Sequence, residues 1–573
     1  MLLNRPLKRM LTLSVCLCLT GAAFINAASA RTDAIPLPKP ASYAASDATV
    51  DLAQIDISAL RLSERDIGLY RKIFSAMARG DKATAKSLSN SLNDKSLLGW
   101  TGLRRQPILT SAVSPEQTTL NYISPLPRDA KQVKAAALVK DRVTLHIRAD
   151  RLDWAKDSID VALKNGVIDR IEAAQLNTTL AASHLYMGDD QEALRLAHFA
   201  LQVAGQRTPE AGWIAGLASW RMKDYTRAAQ YFAWAPRSPY AGPWLRSAAA
   251  YWTARALTKT GHYQQVSAWL MEAAKNPRSF YGLIATRSLG AKFDFNWAIA
   301  PFNERHQAIL KSQPGAVRAL KLAQISQLDA ARAELSLTQA EMRPDLREAL
   351  AALAVAALKP DLAMQVADML QHPLGGPLDI ALYPVSPWHP KDGYRVEPAL
   401  INAFIRQESR FKPVAKNKGS GAAGLMQIMP RTAKSIDRTA ARQLADPETS
   451  ITLGQKYLED LLSMTDGNLF EAAIAYNAGP GRLSEWKDRF ADVNDPLLFI
   501  ELIPYGETRS YVERVMANYW IYSLRLGADK TGGVATLDAV ASGRVAQYAY
   551  AGNRDSTDIV MGAAASADMA SAR

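Results

Sequence analysis

Apolar residues recur three and four apart through almost all of residues 55–370, with short Gly, Asp or Pro breaks. That is the period of helices that bury one stripe each. Prolines and glycines then cluster between 372 and 390, which predicts a domain boundary. Helical period resumes across 391–528, with loops expected at 417–424 and 477–482. From 529 the composition turns to Ala, Gly, Ser and Thr and reads as a poorly ordered tail. The pattern predicts an all-α chain. One stripe carries a charge: Leu400, Ile401, Phe404 and Ile405 lie on one helix face, and Glu408 prolongs it. A carboxyl turned toward a core keeps its proton to higher pH, as a general acid at neutral pH must.

The first helical region holds a weak repeat. Ala182-x-x-Leu185-x-x-Gly188-Asp189-Asp190-x-x-Ala193 is echoed from Ala215 through Met222-Lys223-Asp224-Tyr225 to Ala228. It returns as Ala254-x-x-Leu257 through Gly261-His262-Tyr263, with steps of 35 and 38 residues between turns. The steps are close to the helix-turn-helix unit of tetratricopeptide repeats, in which stacking buries what one pair cannot. Their irregularity predicts a degenerate helical superhelix over 51–275, followed by a helical linker domain over 276–390. Trp213, Trp220, Tyr231, Phe232 and Trp252 are read as its core. Ser279-Phe280-Tyr281-Gly282 stands near that boundary.

The first 30 residues change the picture of where the chain works. Arg5, Lys8 and Arg9 precede an apolar run over 11–19, and Ala28-Ser29-Ala30 supplies a small-x-small cleavage pattern. This reads as a signal peptide cut after Ala30, followed by a linker over 31–50, and predicts export to the periplasm. The run is too short for a stable membrane helix, and no later stretch is long and apolar enough. Cys16 and Cys18 both lie inside it, which leaves no thiol for disulfides or cysteine catalysis after cleavage. The net charge is +13, or +10 without Arg5, Lys8 and Arg9. A basic exported protein suits an acidic polymer such as a cell wall, although a solubilising surface has the same charge. No basic motif of known type points to nucleic acid.

Elimination narrows the chemistry. From Pro390 onward there is no His and no Cys, so a Ser-His-Asp triad, a Cys-His pair and the usual zinc sites are excluded there. No phosphate-binding or dinucleotide fingerprint occurs, and no cofactor or metal is expected. Carboxylates, amides, tyrosines and backbone groups remain, the means of glycoside chemistry. Three clusters concentrate them. Gly424-Leu425-Met426-Gln427-Ile428-Met429-Pro430 joins a loop to a helix start. Ala475-Tyr476-Asn477-Ala478-Gly479-Pro480-Gly481 ends a helix on small residues. Glu507-Thr508-Arg509-Ser510-Tyr511 opens a last helix. Singly, each also reads as an ordinary helix end, cap or core residue.

In order over about a hundred residues, Glu408-Ser409, Gly-Leu-Met-Gln, Ala-Tyr-Asn-Ala-Gly-Pro-Gly and Glu-Thr-Arg-x-Tyr strongly resemble the soluble lytic murein transglycosylases. The helical region with Ser279-Phe280-Tyr281-Gly282 is similar to their superhelix and linker regions. The resemblance implies a goose-lysozyme-like helical catalytic domain on a helical superhelix, acting on peptidoglycan between N-acetylmuramic acid and N-acetylglucosamine. It implies that Glu408 is the single catalytic acid and base, forming 1,6-anhydro-muramyl products. Met426, Gln427, Tyr476, Asn477, Glu507 and Tyr511 match groove positions. One departure stands beside the acid. The interval after Ala415 is one residue longer than the usual pattern, so Ser409, Asn417 and Ser420 are all candidates for a supporting role. Two other readings stay open at this point: a lysozyme-type hydrolase using water, and an envelope scaffold that binds glycan without cutting. The superhelix is a candidate surface for envelope proteins.

Overall fold

The computed structural model describes residues 57–103, 128–337, 343–356, 359–370, 376–527 and 532–543. The expected signal peptide and linker, with both cysteines, lie outside the described residues. Within them the fold is all α-helical; the extended contacts are isolated antiparallel bridges from Lys416 to Ala423 and from Ala423 to Ile428. No described helix is long and apolar enough to cross a membrane.

Helices stack in antiparallel pairs from the start. The three sequence repeats are the pairs Arg170–Met187 with Asp190–Ala204, Pro209–Arg221 with Tyr225–Phe232, and Pro243–Lys259 with Tyr263–Ala274. Each pair turns through one left-handed residue: Gly188, Lys223 and Gly261. The next amide then bonds back to the carbonyl five residues earlier, at 2.9 Å in every case: Asp189 to His184, Asp224 to Ser219 and His262 to Leu257. This closure satisfies the last carbonyls of the first helix and aims the chain back along it. The same bond recurs at Asp81 to Ala76, Arg151 to His146, Val167 to Ala162 and Gln327 to Leu322, so further pairs share the unit. Their left-handed residues are Gly80, Asp150, Gly166 and Ser326. Trp252, Phe232 and Trp220 are buried where pairs stack, with Trp220 and Trp252 edge to face at 4.9 Å.

The motif Ser279-Phe280-Tyr281-Gly282 is a docking point. Ser279 caps helix Phe280–Ser288 by accepting from the Gly282 amide. Phe280 stacks on Trp520 with ring centres 5.1 Å apart, and Tyr281 donates to Glu501 at 2.5 Å. Both partners belong to the last helical region, which is assembled around helices Pro398–Glu408, Leu469–Ala478 and Gly506–Arg525. Where the sequence reads as tail, the chain forms one more helix, Gly532–Ala541, with Leu537 and Val540 buried. Glu397 anchors its start, accepting from the Gly532 amide at 2.9 Å. An Ala-rich, Gly-rich sequence conceals such a helix because tertiary burial, not propensity, selects it. The remainder of the tail, 544–573, lies outside the described residues.

Candidate active site

Helix Pro398–Glu408 ends on the residue its stripe pointed to. Leu400, Ile401, Phe404 and Ile405 are buried, and Glu408 follows them half-buried. The helix stops there because Arg410 and Phe411 both take left-handed backbone, with φ of 50° and 60°. That conformation is costly for residues bearing a Cβ. The fully buried Phe411 ring and an Arg410–Asp368 ion pair hold it in place.

Among the described residues Glu408 has one hydrogen-bond donor: Tyr511 reaches it at 2.5 Å from helix Gly506–Arg525. Burial raises the Glu408 carboxyl to about 7, the Tyr511 bond opposes the rise, and the nearby Glu507 charge adds to it. The helix C-terminus works in the same direction as burial, since its carbonyl end disfavours a negative charge. Tyr511 is itself buried and pushed well above its usual range, so it remains a hydroxyl donor. The arrangement holds a carboxyl near half-protonation at neutral pH, suited to giving a proton and then taking one back.

Around this pair the structure collects most of the sequence candidates. Tyr476 stacks against Phe404 with ring centres 4.7 Å apart, and its hydroxyl donates to the Met426 carbonyl at 2.7 Å. Asn477 accepts from Thr508 at 2.7 Å, which ties the end of one groove helix to the start of the next. Glu507 is exposed on the first turn of helix Gly506–Arg525. Gln427 takes a left-handed φ of 47°, and its Nε2 donates to the Ala415 and Gly424 carbonyls at 3.1 and 2.8 Å. Its amide nitrogen therefore braces the loop. Met426 is fully buried with its side chain against Gly454, and its backbone carbonyl is the group that accepts from Tyr476.

Of the supporting candidates, Ser409 is buried and donates to the Ile405 carbonyl at 3.2 Å. Asn417 and Ser420 are exposed and spend their oxygens on their own loop. Asn417 Oδ1 accepts from the Gly419 and Ser420 amides at 2.9 and 3.1 Å, and Ser420 Oγ from the Ala422 amide at 3.3 Å. Among the described residues, none of the three bonds to Glu408. The longer interval is absorbed in this self-closed turn.

Three neighbours went unread. Tyr457 packs on Tyr476 at 5.2 Å, Ser450 accepts from the Met426 amide at 3.3 Å, and Thr508 holds Asn477. Ser450, Gly454 and Tyr457 share one face of helix Pro447–Met464, four and then three residues apart. That small-small-aromatic spacing was the available signal.

The model of the Transglycosylase SLT domain matches residues 389–498, which include Glu408, Met426, Gln427, Tyr476 and Asn477 and stop short of Glu507 and Tyr511. The chain is 31% identical over 276 residues to a soluble lytic murein transglycosylase of Salmonella typhimurium, covering 47% of this chain and 42% of that one. It is 30% identical over 291 residues to the protein of that name from Escherichia coli, covering 49% and 44%. The matched stretch thus spans less than half the length of these relatives. Among solved structures, it is similar to lytic transglycosylase Slt of Pseudomonas aeruginosa in an inactive variant, with TM-score 0.50 and 22% identity over 81% of this chain and 73% of that one. It is also similar to a 70-kDa soluble lytic transglycosylase solved with bulgecin A, with TM-score 0.52, 21% identity and the same coverage. Residues 389–498 match the Transglycosylase SLT domain, and the chain resembles the soluble lytic murein transglycosylases in sequence over about half its length and in its all-α fold.

Proposed function

We propose that this chain is an exported lytic transglycosylase of the periplasm that cuts peptidoglycan between N-acetylmuramic acid and N-acetylglucosamine. The observation that carries the reading is Glu408, half-buried, held by Tyr511 and raised to about 7. Protonated Glu408 gives its proton to the glycosidic oxygen as the bond to the anomeric carbon breaks. The substrate's acetamido oxygen supports the electron-poor carbon, in place of a second protein carboxylate. Glu408, now ionised, takes the proton of the muramyl C6 hydroxyl, and O6 closes on the anomeric carbon. The product is a 1,6-anhydro sugar, with no water consumed and the acid restored. Tyr511 stabilises the ionised intermediate state of the acid, since its bond favours the charged form. Tyr476, Asn477, Gln427, Glu507 and the Met426 carbonyl line the groove as sugar contacts, and Ser409, Asn417 and Ser420 shape the turn and helix end beside the acid.

Purified peptidoglycan digested by the protein tests this. Products one water lighter than reducing-end muropeptides are expected. Reducing ends would instead assign a lysozyme-type hydrolase, with Glu507 as the acid nearest to serve as its base. Glu408→Gln is expected to lower the rate by at least about a hundredfold, the usual share of a general acid. Sacculi bound but never cut by the unaltered protein would favour the scaffold reading.

A further inference from the structure

The longer interval after Ala415 takes no part in the chemistry, yet its turn carries Lys416 and Lys418 outward, both exposed. Bridges from Lys416 to Ala423 and from Ala423 to Ile428 lay that turn beside the segment entering helix Pro430–Ile436. A Cβ on Gly421 would stand 3.7 Å from the Pro430 ring, an ordinary contact, so turn and helix share one edge. The helix and the turn after it add Arg431, Lys434, Arg438 and Arg442, all exposed. Between residues 412 and 443 the sequence holds seven cations and one acid, Asp437. The seventh cation, Lys412, is half-buried and donates to Ser326 at 3.4 Å. Asp437 spends its Oδ1 on the Thr439 and Ala440 amides, at 2.7 and 2.9 Å.

Among the described residues none of the six exposed cations has an ion-pair partner. The superhelix surface is different: Lys156 pairs with Asp160, Arg195 with Glu192 and Lys275 with Glu272. A surface that only solubilises intersperses the two signs in that way. One sign alone, without neutralisation, suits a partner dense in negative charge. Two apolar side chains stand among these cations. Val414, two residues before Lys416, is 74% exposed, and Met429, just before Pro430, is 43% exposed. A hydrated polymer would leave both in water. A bilayer interface takes cations at the level of its phosphates and apolar side chains just beneath them.

We propose that this edge docks on a membrane surface of anionic phospholipid headgroups. The inference goes beyond the reading of Glu408 and does not depend on it. Gln427 reaches the Ala415 carbonyl within the same loop, so the docked edge borders the groove. Contact with the bilayer would then hold the groove close to the membrane.

Vesicle sedimentation tests this. The protein is taken in its exported form, without residues 1–30, because Arg5, Lys8, Arg9 and the apolar run behind them would bind vesicles by themselves. Vesicles of phosphatidylcholine with about 30% phosphatidylglycerol are compared with pure phosphatidylcholine, and each cation that reaches the surface is expected to strengthen binding roughly fivefold. The preference should shrink as salt is raised. Lys434→Glu combined with Arg438→Glu is expected to weaken binding to the anionic vesicles by at least about twentyfold, with melting temperature and muropeptide release unchanged. Val414→Ser with Met429→Ser should weaken it severalfold and keep the salt dependence. Equal binding to neutral and anionic vesicles, or undiminished binding by the charge-reversed protein, overturns the proposal. So does a wild type that ignores vesicles while charge reversal lowers its binding to sacculi, which would assign the edge to the wall polymer.

Discussion

Burial and the Tyr511 hydroxyl pull the Glu408 carboxyl in opposite directions, and their balance sets the acid near 7. Activity is expected to fall above that pH as the proton is lost, about tenfold per unit once well past it. Tyr511→Phe removes the bond that favours the charged form, so the basic limb shifts to higher pH while the rate at its plateau drops. Release of soluble muropeptides between pH 5 and 9 reads both effects. An unmoved limb would detach Tyr511 from the acid. The same shift has a stability sign. Glu408 binds its proton more tightly folded than unfolded, so its contribution is complete below about 4.5 and is lost as pH rises through about 7. Glu408→Gln cannot ionise, and its melting temperature should gain on the wild type from pH 5 to pH 8, by up to roughly 3 kcal/mol of stability. Glu408 was legible because its spacing from Phe404 and Ile405 is local. The bond from Tyr511 was not, because it joins residues 103 apart that no periodicity connects.

At the scale of elements, the loop before Pro430 is held by one glycine that tolerates nothing larger. Gly424 has φ +82°, and a Cβ there would meet the Leu444 carbonyl oxygen at 2.0 Å and Ser450 Oγ at 2.4 Å. Gly424→Ala is expected to cost about 3 kcal/mol in denaturant unfolding and to displace the Gln427 brace. Gly419, whose added Cβ would touch only Asn417 Oδ1 at 3.4 Å, should accept alanine within about 0.5 kcal/mol. If the two variants unfold alike, the loop is not held in the way described. The sequence placed this loop and left open which polar residue supports the acid; the Asn417 turn answers for itself alone, since its contacts are backbone amides two and three residues on. The superhelix shows the same division. The closing turns were readable where Gly or Asp marked them within a repeat, but Lys223, Asp150 and Ser326 adopt the left-handed turn without glycine. A backbone hydrogen bond defines that unit, and residue identity reports it only in part.

At the scale of the whole molecule, the superhelix and the last helical region meet through charges and rings rather than a plain apolar face. Arg255 pairs with Asp495 at 2.7 Å while its guanidinium lies 4.8 and 4.4 Å from the Trp220 and Trp252 rings. Arg509 lies over Tyr186 at 4.5 Å, and Arg489 reaches the Tyr186 carbonyl at 3.3 Å. Glu501 is also buried at this junction: burial raises its carboxyl, the Tyr281 hydroxyl opposes the rise, and it stands at about 6. Its folded value exceeds the unfolded one, so its contribution to stability is lost as pH rises through about 6. Tyr281→Phe keeps the ring against Phe280 and Tyr251 and removes only the donor. Glu501 is then left to Glu513 and the Arg509 charge, and its carboxyl rises further. The variant should therefore match the wild type closely at pH 4.5 and fall behind it by about 1–3 kcal/mol at pH 8, the usual cost of a buried acceptor that loses its partner. Melting curves at the two pH values measure it. A gap of the same size at both would mean that the Tyr281 hydroxyl serves both forms of the Glu501 carboxyl equally, and that the junction holds without regard to the charge on Glu501.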